Sequence, residues 1–532
     1  MIDLILTNGK IYTQGVPLFV SALAIAGGRI VAIGSDVDML ELKTARTRVE
    51  NLGGRTVLPG LMDSHVHFSW TARSLQEVDV FEVPRIEMAL DRVLDRVRTT
   101  LKGEWIVGRG WAQGLWSTLA FPTAHDLDEI APDHPVYLSA KSGHAGWVNT
   151  AALRACGITA STPDPDGGEI QRDAYGEPTG ILLETAMFLV TKNIPSHTTE
   201  QLAGLMLAAQ ARFHEAGLVG LHDYDNPSCM AALQALHQRG QLSLRVHKNV
   251  NKPWLDAALS LGISRNFGDD FLKIGALKMF ADGALGTKTA LMLEPYIGEP
   301  DNIGIRVLEP EEMFELANKA SAHGLPTTIH AIGDRSFREV CDVFERVRAE
   351  EAKRGQTPNE LRHRLEHVQI IHPDDRYRLR DLKIIASIQP THATSDWTVA
   401  ERYWGERCEW SYNARWQLDQ GVICAFGSDS PIEYFNPFLG IHAAVTRQKY
   451  GQPEGGWKPH MKLTLQEAIA GFTTGSAYAS YTEDRMGKLI SNYYADLVVL
   501  EQDIFSIAPE EIEFLKPVGT MVEGVWRFGG VG

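Results

Sequence analysis

Cysteine, membrane-length apolar runs and processing signals are all scarce or absent in this sequence. The 532 residues include five scattered cysteines: Cys156, Cys229, Cys341, Cys408 and Cys424. An odd number without close pairs indicates reduced thiols and a cytoplasmic protein. The chain has no uninterrupted apolar run of about 18 residues and no signal-peptide pattern at its start. We therefore expect no membrane association.

Basic residues are fewer than acidic residues in this chain. Lys+Arg 51 against Asp+Glu 67 gives a formal net charge of −16. This balance disfavours nucleic acid and anionic membrane surfaces as partners. The length suffices for one large domain with a smaller companion or for three ordinary domains, and it is compatible with a homodimer.

The middle of the chain repeats a strand-then-helix pattern. The eight candidate strands are Val57–His67, Leu218–Tyr224, Leu242–Val250, Phe271–Phe280, Pro326–Ile332, Arg362–Ile370, Lys383–Pro390 and Val422–Asp429. Helical-period segments separate most of them, which indicates parallel strands with right-handed crossovers. The pattern predicts an α/β fold, a (β/α)8 TIM barrel whose active site lies at the carboxyl ends of its strands. A doubly wound sheet is the alternative, but the Gly-rich phosphate loop typical of that fold is missing.

Short strand-like segments stand at both ends of the chain. We expect residues 1–57 and 485–532 to form a composite β-sandwich, and residues 58–484 to form the barrel domain. Strand signals in the last part include Gly487–Ser491. Two independent β caps are the alternative arrangement. Asn-Gly and Gly-Gly steps between the first strands are typical of hairpins.

A long insertion, about residues 70–200, separates the first predicted barrel strand from the second. A single crossover needs far fewer residues. Because an insertion there leaves from the catalytic face of a barrel, we expect it to cover the mouth and shape substrate access. A peripheral or dimerising subdomain is the alternative.

The first barrel strand ends in two histidines, His65 and His67, just after Asp63. In a strand, residues two apart point to the same face, so both imidazoles would project into one space. Imidazoles are common ligands of divalent transition metals. The pair alone is a weak signal, and the interpretation depends on further ligands elsewhere.

Other candidate ligands stand near the ends of later strands. Lys278 lies inside an apolar stretch of strand four, where burial should lower the pKa of its amine. His330, His367 and Asp429 lie near the ends of strands five, six and eight. Since these ends meet at one mouth, we expect the side chains to form a metal site with the first histidine pair.

These motifs resemble those of the amidohydrolase superfamily, and in particular the amidohydrolase-3 branch with its N-substituted formamide deformylase-like proteins. The resemblance covers essentially the full length. It is carried by Leu58–His67, Leu277–Gly283, His330–Asp334, Glu366–His367 and Gly427–Pro431, and by residues 144–149 and 176–181 in the insertion.

The resemblance implies a binuclear metal centre. His65 and His67, with Asp429, would hold one divalent ion, for which zinc is expected from the ligand type, with manganese, iron or cobalt as alternatives. A second ion would bind the histidines of strands five and six. Lys278 would bridge both ions as a carboxylated lysine, a carbamate formed with carbon dioxide. If Lys278 stays unmodified, a single ion would be held by either ligand group.

The same resemblance implies hydrolysis by a hydroxide between the two metals, with Asp429 as the proton acceptor and donor. The expected enzyme is an amidohydrolase that cleaves a carbon–nitrogen bond other than a peptide bond in a small-molecule substrate, such as an N-acyl, N-formyl or cyclic amide. A lactone, carbamate or phosphotriester would suit the same site. The alternative of another class is a catalytically inactive small-molecule- or metal-binding protein, which the presence of Asp429 disfavours.

Four further residues are candidate substrate contacts. His144, Trp147 and Trp111 belong to the insertion, and structural packing is the alternative role of the tryptophans. His392 follows strand seven at the predicted mouth. It would bind substrate or an oxyanion, or serve only as a loop residue.

Overall fold

A computed structural model describes residues 1–81, 83–113, 116, 120–140, 145–165, 167–357 and 360–531. The chain divides into two compact units. One unit comprises Met1–Ser69 and Met206–Gly532, and the other comprises Trp70–Leu205.

The larger unit contains an all-parallel 8-stranded sheet, as predicted for a TIM barrel. Its strands are β1 (Leu61–Val66), β2 (Leu218–Asp223), β3 (Arg245–Asn251), β4 (Leu272–Phe280), β5 (Thr327–Ala331), β6 (Arg364–His367), β7 (Ile385–Ile388) and β8 (Cys424–Phe426). Each strand pairs with the next along the chain. The predicted fold class is thereby confirmed.

The last strand returns to the first at a glycine. Val66 and Ser430 form a parallel bridge, and Asp429 N donates to His65 O at 2.7 Å. A Cβ atom at Gly427 would lie 2.5 Å from His65 N. Glycine at this position therefore permits the close approach of β8 to β1 that brings the two strand ends together.

Helices follow the strands at the positions that parallel crossovers require. Thr199–Glu215 precedes β2, and Phe68–Ser74 follows β1. The others are Pro227–Gln238, Leu255–Ser260, Pro310–Ala322, Asp334–Lys353, Arg378–Leu382, Pro390–Trp404, Ala414–Asp419, Pro437–Thr446, Leu465–Ala470 and Ser476–Ala479. Proline stands in the first turn of several, where its missing N–H has no helical partner to lose.

The larger unit has two further sheets, one from the first part of the chain alone and one from both chain ends. The 4-stranded sheet contains Leu4–Thr7, Ala22–Ala26, Arg29–Gly34 and Arg48–Asn51. The 6-stranded sheet contains Lys10–Tyr12, Phe19–Val20, Thr56–Pro59, Leu497–Leu500, Pro517–Val522 and Val525–Gly529. One buried cluster joins apolar side chains from both sheets, including Leu6 and Leu497. Residues 487–491, a predicted strand, are irregular because Gly487 takes a positive φ of 85° within a series of turns.

The smaller unit has a 6-stranded sheet of its own. Its strands are Val78–Asp79, Ile106–Trp111, Val136–Ala140, Ala145–Val148, Gly168–Arg172 and Pro178–Glu184. Its helices are Ile86–Val97, Ala124–Asp128, Thr150–Ala155 and Phe188–Thr191. A buried cluster that includes Trp111, Trp116 and Trp147 forms part of its core.

Within the described ranges, no helix is both long and apolar enough to cross a bilayer. All five cysteines are free thiols, as their spacing predicts.

Candidate metal centre

Three predicted ligands meet where β1 and β8 end. Asp429 Oδ1 lies 3.5 Å from His65 Nε2 and 3.4 Å from His67 Nε2. Donor atoms of the three side chains all lie within 4.8 Å of one another. Two imidazoles and a carboxylate form a donor set that suits a divalent transition metal.

On both imidazoles, the ring nitrogen that points away from Asp429 contacts a carboxylate. His65 Nδ1 lies 2.7 Å from Glu366 Oε2, and His67 Nδ1 lies 3.1 Å from Asp225 Oδ1. Because an ionised carboxylate only accepts, each Nδ1 carries the proton and each Nε2 is the atom that faces Asp429. A carboxylate behind a histidine is the usual arrangement around a protein-bound metal, since it sets the tautomer and the ring orientation.

A second group shares Asp429 and lies towards β6 and β7. Donor atoms of His367, His392 and Asp429 lie within 4.8 Å of one another. His367 Nδ1 is 2.8 Å from Gln389 Oε1, which leaves Nε2 as the ligand atom. His392 Nε2 is 3.8 Å from Asp429 Oδ2, and His392 Nδ1 is 3.3 Å from Gln369 Nε2. The helix Pro390–Trp404 carries His392, so the alternative that His392 is only a loop residue is wrong.

His330 and Lys278 complete the predicted set. His330 packs edge-on against His367 with ring centroids 4.6 Å apart, and its Nε2 is 2.9 Å from Gly283 O. Only Nδ1 of His330 is therefore available to a metal. Lys278 is buried, and its Nζ lies 4.6 Å from the ring centroids of both Tyr224 and Phe280. The two three-residue groups contain neither His330 nor Lys278.

Burial and charge prepare most of these groups for metal binding. Burial lowers the pKa of His65 to about 4 and that of His330 to about 3, with the Lys278 cation adding to both effects. Burial also lowers the pKa of Lys278 itself, to about 8, against the opposing influence of Glu366. Neutral imidazoles and a readily deprotonated amine are the forms that bind metals or react with carbon dioxide.

His67 and Asp429 behave differently because they face each other. Burial opposes the charged form of His67, but hydrogen bonds to Asp225 and Asp429 outweigh it and raise the pKa to about 9. Burial likewise opposes ionisation of Asp429, but the facing histidines lower its pKa well below the usual range. A metal at this position would thus replace a proton on His67 as the partner of Asp429.

Two site residues have left-handed backbone conformations. His367 has φ 76° and Asp429 has φ 61°. Such angles are uncommon for residues other than glycine, and they cluster at binding and catalytic sites where the fold holds a side chain in place. They aim both side chains inward as the strands end.

The insertion residues are placed less favourably for substrate binding. Trp111 and Trp147 are both 0% exposed, and their indole N–H groups donate to Leu138 O at 2.8 Å and Thr123 O at 2.7 Å. Both side chains thus pack in the core of the smaller unit, the structural role that stood as the alternative. His144 lies outside the described residues.

The orienting residues were missed at the level of sequence. Glu366 stood inside a recognised motif without a role, while Asp225, Tyr224 and Gln389 were not singled out. Tyr224 stacks on the His65 ring at 3.8 Å and donates to Glu366 Oε1 at 2.7 Å. Asp223 and Asp225 are two residues apart at the end of β2, as the histidines are at the end of β1. This shared alternation was the available signal.

The chain matches a protein-family model and several known proteins over most of its length. The model of the amidohydrolase family matches residues 48–528. A putative amidohydrolase, YtcJ, from Bacillus subtilis (strain 168) is 33% identical over 94% of this chain and 95% of that protein. An N-substituted formamide deformylase from Arthrobacter pascens is 29% identical over 100% of this chain and 99% of that protein. The crystal structure of an uncharacterized metal-dependent hydrolase from Pyrococcus furiosus superimposes with a TM-score of 0.78 at 29% identity, covering 95% of this chain and 99% of that one.

Proposed function

The chain belongs to the amidohydrolase family, and from this membership we propose that it is a metal-dependent hydrolase of a carbon–nitrogen bond in a small amide. The proposed substrates are N-acyl, N-formyl or cyclic amides. The formamide deformylase among its relatives supports this class, because its similarity extends over the whole chain. The five free thiols are consistent with a cytoplasmic enzyme.

One observation carries the proposal most directly. His65 Nε2 and His67 Nε2 both face Asp429 Oδ1, within 3.5 Å, while carboxylates hold both Nδ1 atoms. A purely structural histidine needs no second nitrogen directed at a shared carboxylate. The arrangement supports a metal site in which carboxylates orient the histidine ligands.

We propose two zinc ions per chain. His65, His67 and Asp429 would hold the first, and His330 and His367 the second, with His392 as a further available ligand. Zinc suits imidazole and carboxylate donors, although other first-row metals suit them too. Divalent metals in such a site supply Lewis acidity, which lowers the pKa of water and polarises a carbonyl oxygen.

Lys278 is proposed to carry a carboxylate group. Its neutral amine would form an N–C bond with carbon dioxide and release one proton, giving an anionic carbamate. The pKa of about 8 favours this reaction, because an appreciable fraction of the amine is unprotonated near neutral pH. The product would replace a buried cation with oxygen ligands for both metal positions.

Asp429 is proposed to move the proton during hydrolysis. Oδ1 faces the two histidines of β1, and Oδ2 lies towards His392. Its carboxylate is ionised in the resting site and can accept a proton from the attacking water. The protonated Asp429 carboxyl group can then return this proton to the leaving nitrogen, which completes cleavage of the amide.

The experiment compares wild type with Asp429→Asn, both purified with zinc and bicarbonate, on a panel of N-formyl, N-acyl and cyclic amides and matched esters. We expect wild type to hydrolyse at least one amide and the variant to be slower by about 10²-fold or more. Asp375→Asn is the control, since Asp375 is also buried but pairs with Arg338 on another surface of the barrel.

Metal content of the same preparations tests the two-metal arrangement. We expect two equivalents of zinc in wild type with bicarbonate and fewer without it. One equivalent regardless of bicarbonate would contradict the carbamate bridge. Hydrolysis of esters or phosphotriesters without any amide would contradict the proposed substrate class, and undiminished turnover by Asp429→Asn would contradict the proton role.

A further inference from the structure

Three basic residues form a row across β2, β3 and β4, and the member on β4 stands five residues before Lys278. His222 is the register partner of His247, and His247 is the register partner of Lys273. Register partners on neighbouring parallel strands point to the same face of the sheet. We call His222, His247 and Lys273 the basic row. Together with Ser480 and Thr482 they line a cavity.

The basic row holds hydrogen-bond donors without acceptors. His222 Nδ1 is 2.8 Å from a guanidinium nitrogen of Arg364, which can only donate, so the proton of His222 is on Nε2. That Nε2, the two ring nitrogens of His247 and Lys273 Nζ are buried and have no hydrogen-bond partner among the described residues. Burial lowers the pKa of His247 well below its usual range, so its neutral ring supplies one N–H donor. The side-chain amide nitrogen of Asn249 is also buried without a hydrogen-bond partner among the described residues. Native proteins rarely leave such groups unsatisfied, and a bound ion or water is the usual explanation.

The row also lacks a counter-charge. His222, His247 and Lys273 are 1%, 3% and 6% exposed. Asp270 lines the same cavity but pairs with Arg485 at 2.9 Å, and Asp496 pairs with Arg245 at 2.7 Å. In the described ranges no carboxylate lies within ion-pair distance of Lys273 Nζ. Burying an ammonium without a partner is strongly unfavourable, so an anion would stabilise this arrangement.

A glycine on β4 preserves the space around the row. A Cβ atom at Gly275 would lie 2.5 Å from Asn249 Oδ1 and 2.7 Å from His247 Cε1. Any side chain there would displace the ring and the amide that contribute donors. Asn249 Oδ1 also accepts from Ala276 N at 2.8 Å, which orients the amide nitrogen. The donors are thus held by the fold.

We propose that the basic row binds a small inorganic anion, of the size and charge of chloride. Only an acceptor can satisfy donors from Lys273, His222 and His247 together, and a negative charge also neutralises the ammonium. The cavity volume of about 10 Å³ leaves room for one particle of about the size of water, which favours a monatomic ion over a larger oxyanion. This site contains none of the proposed metal ligands, although His222 contacts Arg364, the ion-pair partner of Glu366, and it requires no particular substrate.

Full-length protein loaded with metal provides the test. Its thermal midpoint is measured in sodium chloride, sodium bromide, sodium sulfate and sodium gluconate at equal ionic strength. Ligands that bind only the native state raise the midpoint with concentration. We expect chloride and bromide to raise the midpoint above the gluconate value by at least about 1 °C, and sulfate to have a smaller effect.

Two variants locate the effect. Lys273→Met removes the ammonium and should abolish the halide-dependent shift. Lys319→Met is the control, because Lys319 forms an exposed ion pair with Asp256 and should leave the shift unchanged. Crystals of wild type grown in bromide should show an anomalous scattering peak beside Lys273 Nζ, a measurement that does not depend on the variant's folding.

The outcomes separate the alternatives. Equal midpoints in all four salts and no bromide peak would mean that water satisfies the donors, which would overturn the proposal. A sulfate effect larger than the chloride effect would overturn the monatomic assignment. A halide shift that persists undiminished in Lys273→Met would place the ion elsewhere and would overturn it as well.

Discussion

The metal centre and the basic row contain similar basic side chains but different counter-charges. At the metal centre, His65 and His67 each have a carboxylate on one ring nitrogen and Asp429 facing the other. In the basic row, donors of His247 and Lys273 have no acceptor among the described residues. Carboxylates make the histidines of the metal centre suitable ligands for a cation. In the basic row no carboxylate of the described residues accepts from these donors, so the row is suited to an anion. Histidine in a barrel therefore acquires its role from its partners.

The largest expected effect comes from removing the charge of Glu366. Glu366 accepts from His65 and Tyr224 and also pairs with Arg364 at 3.2 Å. Glu366→Gln should weaken zinc binding by about 10- to 100-fold, because His65 loses the carboxylate that orients it. It should also destabilise the fold by about 3–5 kcal/mol, since Arg364 is left as an uncompensated buried charge. Chelator competition and the urea midpoint measure the two effects.

A matched control separates metal binding from folding. Glu351 is 1% exposed and holds His363 Nε2 at 2.8 Å, away from the metal centre. Glu351→Gln should lower the urea midpoint and leave zinc affinity unchanged. Equal zinc affinity in Glu366→Gln and wild type would contradict the distinction between the two sites, because the Glu366 carboxylate would then not be needed for metal binding.

A smaller effect is expected at His67. Asp225→Asn keeps an oxygen acceptor for Nδ1 but removes the negative charge, so zinc affinity should fall by about tenfold. In the metal-free wild type, the pKa of His67 is about 9, so a proton competes with zinc below that pH. Wild-type affinity should therefore rise between pH 7 and 9, and the rise should be shallower in the variant.

Chelator competition at both pH values measures this difference. Asp269→Asn is the control, since Asp269 also contacts a histidine, His237 at 2.7 Å, but on the surface. A pH dependence as steep in Asp225→Asn as in wild type would show that Asp225 does not set the protonation of His67.

The smallest expected effect concerns Lys273. Burial first, and then the charge of Arg485, lower the pKa of Lys273 from its ordinary value of 10.5 to about 8. Below about pH 8 the amine is protonated in both states. Between about pH 8 and 10.5 the unfolded state binds more protons, so native stability should rise with pH, by at least about 1 kcal/mol.

Urea midpoints at pH 7.5 and 10, measured in gluconate, test this gain against Lys273→Met, which should lack it. Chloride should reduce the gain in wild type, because a bound anion favours the charged amine. The same pH response in both proteins would mean that Lys273 is not an unpaired buried cation, and the contrast with the metal centre would fail.

Much of the fold could be predicted because its signals are local. Residues 218–223 and 272–280 are largely apolar segments of strand length, and residues 199–215 and 334–353 have helical periodicity, so the order of elements could be derived. The helix Pro390–Trp404 was missed, since its first residues were interpreted as the end of a strand and a loop. Gly27-Gly28 joins the antiparallel strands Ala22–Ala26 and Arg29–Gly34, so the hairpin predicted there is confirmed. The hairpin predicted at Asn8-Gly9 is wrong, because the strands on either side of it belong to different sheets.

The candidate site could be predicted in part. His65, His67 and Asp429 stand at strand ends, and parallel strands bring their carboxyl ends to one mouth, so their meeting followed from topology. Trp111 and Trp147 were harder to place, because an aromatic residue near glycines suits a pocket and a core equally well. Their burial depends on how the sheet of the smaller unit packs.

The sequence by itself determined the alternation of strands and helices and the set of residues at the ends of the strands, since both follow from short-range periodicity and turn chemistry. Only the tertiary structure decided which carboxylate holds which histidine. Glu366 of β6 reaches His65 of β1, across about 300 residues of chain, because the barrel closes at Gly427. Tertiary structure likewise decided that Lys273 lies buried without a carboxylate, since register and packing select the partners of a side chain.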